Sequence, residues 1–409
     1  MNKMTNEQSK QFSEILIELA TLLDVTETEF QTISRSYEDV GRFLAEENSP
    51  LQAYNPSIHP QGSFLLGTVV RPICEDDDLD IDLVCELENK PDEWVQYDLK
   101  NAVGNRLKSS PKYKDRLDKE GKRCWTLLYG DNKYHLDVLP SLVCNDYHNR
   151  VTKYFTEGTG ANPEELAIHI TDYTRADYYT EKNEDYWMVS NPFGYAQWFL
   201  SSAQKAYRQQ RMFAAEATID PVPKFKKDKY VLQRVVQLLK RHRDKMFDGD
   251  DDKPISIIIT TLATRVYNDE LDLFKAFKHI ANNLTKYIED RNGMKYIANP
   301  VNRSENFADR WPAKPRKQKK FYEWVNQLQI DINRLESTAG QGLPAIRKVL
   351  DDMFGESISK KTYDNYGKLL LERRKSGNLK AGISTATLGL SGVVKVAAHN
   401  FYGTDEEKS

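Results

Sequence analysis

Apolar residues recur three or four apart at the start of the chain, where Phe12, Ile15, Leu16, Leu19, Leu22 and Leu23 predict an amphipathic helix over 6–23. Thr26 then stands as the cap of a second helix, TETEFQTISRSYEDVGRFLAEE, with acids in the first turn where the helix dipole favours them. The loop NSPLQAYNPSIHP ends it, because its prolines and asparagines cannot continue a helix. Over 63–145 the period shortens toward two in LDIDLVCEL, RCWTLLYG and KYHLDVLPSLVC, with a helical stretch at 93–108 between them. Gly130-Asp131-Asn132 predicts a short hairpin between the last two strands. The stretch 147–180, with Gly158, Gly160 and Pro163, reads as irregular. After SNPFGYAQWFLSSAQKAYRQQRM the helical period returns. DKYVLQRVVQLLKRHRDKMF turns Val231, Leu232, Val235, Val236, Leu238 and Leu239 inward, PISIIITTLATRVY begins at Pro254, and helices follow at LFKAFKHIANNLTKYIEDR, 313–335 and 344–354. These periods predict an α/β (α+β) protein: an N-terminal lobe with a mixed sheet and a helical C-terminal lobe, divided near 180–207.

Length and composition sharpen this picture. At 409 residues, 39% hydrophobic and 11% aromatic, the chain is long enough for two or three domains and too rich in aromatics for disorder. A net charge of -3 excludes a global pull toward nucleic acid or membrane, leaving only local patches. Lys224, Lys226, Lys227 and Lys229, together with KPRKQKK at 314–320, form such a patch, but they have little aromatic interleaving and read as solvated surface. Cys74, Cys85, Cys124 and Cys144 show no zinc spacing. The start of the chain lacks the apolar run of a signal peptide, and no segment reaches the roughly 18 apolar residues of a membrane span. A cytoplasmic protein with reduced thiols and no membrane contact is expected.

The candidate chemistry lies in QGSFLLGTVVRPICEDDDLDIDLV. Strand side chains alternate, so Asp80 and Asp82 share one face while Leu79, Ile81 and Leu83 face the core. At about 3.3 Å per residue the two carboxylates lie roughly 7 Å apart, a spacing that hard cations between them can bridge. Two-metal sites hold their ions about 3.5–4 Å apart and clamp both oxygens of an in-line displacement. Asp137, between Leu136 and Val138, repeats the pattern and is the candidate third ligand. Glu75, Asp76, Asp77 and Asp78 read as the loop feeding the strand, although Asp78 shares the face of Asp80. Arg71 is expected to pair with that loop. Gly62-Ser63 supplies a tight turn whose N–H groups and hydroxyl can cradle a phosphate chain. His135 reads as structural, and Tyr178, Tyr179, Tyr186 and Trp187 as packing more than base stacking.

GSFLLGTVVRP, DLDIDLV and HLDVLP together resemble the polymerase-beta nucleotidyltransferase superfamily, and more closely its bacterial cGAS/DncV-like, SMODS-type group. SNPFGYAQWF, VQLLKRHRD, NPVNRSENFADRW and the terminal HNFYG extend the likeness over most of the chain. The resemblance implies N-terminal helices over 1–55, including a long helix spanning the lobes, a catalytic domain over 56–200 and a helical domain over 201–409. It implies an enzyme joining nucleoside triphosphates, ATP among them, into a cyclic di- or trinucleotide, with pyrophosphate released, in anti-phage signalling. Asp80, Asp82 and Asp137 would hold two magnesium ions, with manganese as a substitute. Gly62 and Ser63 would bind the triphosphate, and Lys240 and Ser256 the donor phosphates. Ile257 stands where the animal relative has a base-stacking tyrosine, so stacking must come from elsewhere. Regulatory proteins of a defence operon are the implied partners, and a nucleic-acid activator is left open. A linear product, modification of RNA or protein, and a silent nucleotide-binding scaffold remain alternatives.

Overall fold

The computed structural model describes residues 4–73, 79–130, 134–143, 166–210 and 228–397, with the side chains of 208–210 excepted. The acidic run 75–78, Asp131 and Asn132 of the hairpin turn, Gly158, Gly160, Pro163, Lys224, Lys226, Lys227 and the terminal HNFYG lie outside the described residues.

Along the chain, α1 (Asn6–Leu22) and α2 (Glu27–Ala45) precede β1 (Ser57–Pro60), the short α3 (Gly62–Leu66) and β2 (Leu79–Leu87). Then come α4 (Gln96–Lys108), α5 (Pro111–Lys114), β3 (Trp125–Tyr129), β4 (Tyr134–Leu142), β5 (Ile168–Ile170) and β6 (Met188–Ser190). The long helices α6 (Pro192–Gln210), α7 (Val231–Met246), α8 (Ser256–Val266) and α9 (Leu273–Asn283) lead to short strands β7 (Glu289–Arg291), β8 (Met294–Tyr296), β9 (Ala298–Asn299) and β10 (Asn302–Asn306). Helices α10 (Pro315–Ser337), α11 (Leu343–Phe354) and α12 (Glu356–Lys375) and strands β11 (Lys380–Gly382), β12 (Thr387–Gly389) and β13 (Val394–Lys395) complete the order.

The chain packs as two compact units, neither continuous in sequence: 24–237 with 288–312, and 1–23 with 238–287 and 313–409. The expected division was linear, at 55 and 200. The observed one separates α1 from α2 at Leu23, because α1 buries Phe12, Ile15, Leu16 and Leu19 against α9 and α12.

The first unit is built on a six-stranded mixed sheet in the order β1-β2-β4-β5-β6, with β3 also on β4. β2 and β4 run parallel, while β3 and β5 both pair antiparallel with β4, at its first and last residues respectively. One sheet face carries Leu79, Ile81, Leu83, Cys85, Leu136 and Val138 into a core with Ile33, Tyr37, Val40 and Leu44 of α2 and Leu99, Val103 and Leu107 of α4. The opposite face carries the acids. β5 falls inside the stretch read as irregular; three residues are too few to show a period.

The second unit is helical, as its periods predict, with the three-stranded β12-β11-β13 sheet as an unpredicted addition. Its polar interior is specific: Trp324 Nε1 donates to His242 Nδ1 at 3.1 Å, so the Nε2–H faces Asp331 Oδ2 at 3.2 Å. Among the described residues no helix is long and apolar enough to cross a membrane.

Candidate active site

Parallel pairing of β2 with β4 sets Asp82 directly opposite Asp137 and Asp80 opposite His135. Antiparallel pairing of β3 extends the first row, because Thr126 is the partner of Asp137. The row Asp82–Asp137–Thr126 therefore crosses three strands on one face, where paired side chains stand close enough to interact. Thr126 Oγ1 donates to Asp137 Oδ1 at 2.5 Å. This bond fixes the orientation of the Asp137 carboxylate. The Cys124 thiol also lies against Asp137; burial, and then the charge of that carboxylate, push its pKa up to about 11.

Asp80 is the exposed member, with 76% of its side chain accessible, and its Oδ1 lies 2.7 Å from His135 Nε2. His135, read from sequence as structural, thus touches a candidate ligand. Among the described residues no three His, Cys, Asp or Glu side chains already stand as a cation cage. The donor set nevertheless fits a hard divalent cation: the carboxylates are all oxygen donors on one face of adjacent strands, with no soft ligand replacing any of them.

The turn before β2 meets these carboxylates at close range. Gln61 N donates to Asp82 O at 2.9 Å, binding the turn to the strand. Gly62 has φ +60°, and a Cβ there would lie 2.1 Å from Asp82 Oδ2. The positive φ favours glycine, and the close approach leaves no room for a side chain unless the Asp82 carboxylate moves. Ser63, half-buried, follows as the second residue of α3, and Thr68 N closes the loop by donating to Ser63 O at 2.9 Å. Gly62, Ser63, Asp80, Asp82 and Asp137 are thus brought together in one unit.

Lys240 and Ser256 belong to the other unit. Lys240 is buried on α7, and Ser256 opens α8 as the sequence predicts. Arg243, one turn after Lys240, donates from Nη1 to Pro254 O at 2.7 Å and to Ser256 Oγ at 3.1 Å. The loop before Ser256 is tied down further by ion pairs of Asp250 with Lys320 and of Asp252 with Arg316 and Lys317. Much of the KPRKQKK run is therefore paired within the chain. Lys229 likewise pairs with Asp24, and burial lowers its pKa. Arg71 pairs with Glu29 of α2 at 2.7 Å, the residue whose carboxylate closes the capping box of that helix, while the acidic loop expected beside it lies outside the described residues. Of the four aromatics, Tyr178 and Trp187 are buried while Tyr179 and Tyr186 are exposed.

Sequence reasoning singled out neither Thr126 nor Arg243 as part of the site, and it read His135 as structural. Strand register reveals Thr126, since the antiparallel pairing that sets Tyr129 opposite Tyr134 also sets Thr126 opposite Asp137, and it sets His135 opposite Asp80 across β2 and β4.

Residues 7–164 match the family described as the Second Messenger Oligonucleotide or Dinucleotide Synthetase domain, SMODS. A c-di-GMP synthase of Roseivirga ehrenbergii is 28% identical, over 98% of this chain and 99% of its own. The cyclic dinucleotide synthase CdnG of Bradyrhizobium diazoefficiens is 25% identical, over 90% of this chain and 87% of its own. A solved structure of that CdnG in complex with GTP superposes with a TM-score of 0.64 at 21% identity, over 87% of this chain and 99% of the other. The matched family segment holds the turn and all three carboxylates, and the whole-chain likeness continues through the helical unit. Over 7–164 the chain matches the SMODS domain, and along its length it is similar to synthases of cyclic dinucleotides.

Proposed function

We propose that the protein joins two molecules of GTP into a cyclic dinucleotide, at a site made by Asp80, Asp82 and Asp137 with the Gly62–Ser63 turn. The observation that carries the reading is the contact of Gly62 with Asp82, which puts a phosphate-binding turn against the carboxylate row. GTP is preferred over ATP because one relative is named a c-di-GMP synthase and another is solved with GTP.

The turn holds the triphosphate through the N–H groups after Gly62 and the Ser63 hydroxyl, and Lys240 and Ser256 bind the phosphates of the donor. The ribose hydroxyl of one nucleotide forms a bond to the α-phosphorus of the next while the bond to the pyrophosphate leaving group breaks. Asp137, oriented by Thr126, accepts the hydroxyl proton. A second such step closes the ring. Two magnesium ions, which manganese can replace, would be held by Asp80, Asp82 and Asp137 and would activate the attacking hydroxyl and neutralise charge on the triphosphate. The carboxylates themselves keep the acceptor hydroxyl in line with the turn, since all stand on the rigid centre of the sheet. The proposal includes a cytoplasmic role in anti-phage signalling with partner proteins of the same operon, which phage plating on cells carrying Asp80→Ala with Asp82→Ala tests: lost protection supports it and retained protection contradicts it. The chemistry is tested by incubating the purified protein with magnesium and each labelled nucleoside triphosphate in turn. A phosphatase-resistant product from GTP supports the reading. A phosphatase-sensitive product indicates linear transfer, and no pyrophosphate release indicates a silent scaffold.

A further inference from the structure

The turn that carries Gly62 and Ser63 is short, tied to β2 at its start by Gln61 N and Asp82 O, and held at its end by a different element. α3 has five residues and leaves through Gly67, at φ +65°. Two carbonyls of the following segment are held by glutamines of α7: Gln233 Nε2 donates to Leu66 O and Gln237 Nε2 to Val69 O, each at 2.8 Å. Both glutamines are buried. A spacing of four puts them on one stripe of the helix, and Lys240 continues that stripe three residues on.

Each amide has its orientation set by a second partner. Gln233 Oε1 accepts from Tyr230 N at 2.9 Å, which turns its Nε2 toward Leu66. Gln237 Oε1 accepts from Arg234 Nη1 at 3.2 Å, and its Nε2 also donates to Asp24 Oδ1 at 2.7 Å. Asp24 is in turn bound by Arg234 at 2.6 Å and Lys229 at 2.5 Å. The clamp presses on the chain so closely that a Cβ on Gly67 would lie 2.7 Å from Gln233 Nε2. Because Thr68 N donates back to Ser63 O, what holds Leu66 and Val69 also holds Ser63. All these groups lie within one unit.

We infer that Gln233 and Gln237 are positioning residues that hold the Ser63–Val69 segment where the nucleotide phosphates require it. This rests on the reading of Gly62–Ser63 as the triphosphate-binding turn. Methionine keeps most of the length of glutamine and removes the donor, so Gln233→Met and Gln237→Met are the informative variants. With GTP and magnesium, each is expected to raise KM for GTP roughly tenfold, as loss of a buried hydrogen bond implies, with kcat within about twofold. Amide exchange of the peptide 62–70 accelerates in the same variants. A merely structural role would lower the melting temperature and the active fraction and leave KM alone. If Gln237→Met fails to fold, Gln233→Met carries the test, because it leaves the Asp24 network whole. Ser63→Ala separates the two readings: it is expected to raise KM without changing exchange. Unchanged KM in Ser63→Ala overturns the phosphate reading and the inference with it. Raised KM there, with unchanged KM or unchanged exchange in Gln233→Met, overturns the inference alone.

Discussion

Asp82 is pressed from two sides, by Gly62 within its own turn and by Asp137 across the parallel pair. Like charges so placed repel unless a cation lies between them. Replacing Asp80 and Asp82 together by alanine is therefore expected to abolish product while leaving the melting temperature unchanged or slightly raised; a fall in melting temperature that parallels the loss of activity would refute the assignment. Thr126→Val tests the orientation of Asp137 separately, with an expected fall in kcat of roughly tenfold for one charge-assisted bond and little change in KM. Asp80, Asp82 and Asp137 were legible because a polar residue between apolar neighbours on a strand declares its own face. Thr126 was not, because its relation to Asp137 exists only through register between strands; His135 shares the face of Asp137 by alternation, but its place opposite Asp80 needs that register. Arg243 was hidden for a similar reason: its contact with Ser256 crosses from one helix to the start of the next.

At the scale of elements, helices with apolar stripes were legible and those with polar stripes were not. α12 turns Ser359, Thr362, Tyr366 and Leu370 inward, a helical spacing with three hydroxyls in it, and gives no hydrophobic period to read. The strands β11 to β13, two or three residues each, are held by pairing alone. Between α7 and α10 the contact of His242 with Asp331 makes stability depend on pH. Burial raises the Asp331 pKa, but hydrogen bonds from His242 and Gln327 outweigh it, and the group titrates below the ordinary carboxylate range. A depressed folded pKa stabilises the protein above the unfolded value, about 3.9, and the contribution is lost as pH falls through the folded value. The stability gap between the native protein and Asp331→Asn, read from urea midpoints, is expected to be constant near neutrality and to shrink below about pH 4. A gap that widens as pH falls would contradict this.

At the scale of the whole molecule, the chain's first helix belongs to the unit formed by its last ones. Burial of Phe12, Ile15, Leu16 and Leu19 contributes on the order of 6–12 kcal/mol, at about 1.5–3 for each side chain, comparable with the entire net stability of a typical domain. Removing 1–23 is expected to lower the melting temperature by more than about 10 °C or to abolish the helical unit's cooperative transition, as calorimetry would show. The two-lobed composition was legible because the hydrophobic period changes along the chain. The packing of α1 with distant helices was not, since nothing local distinguishes its partner from α2. The likeness to the curated relatives spans both units. The most direct test of the central claim is mass spectrometry of the product from GTP and magnesium after phosphatase treatment. The account predicts a phosphatase-resistant cyclic dinucleotide, absent with Asp80→Ala and Asp82→Ala; a product that retains a terminal phosphate, or one that persists in that variant, would contradict it.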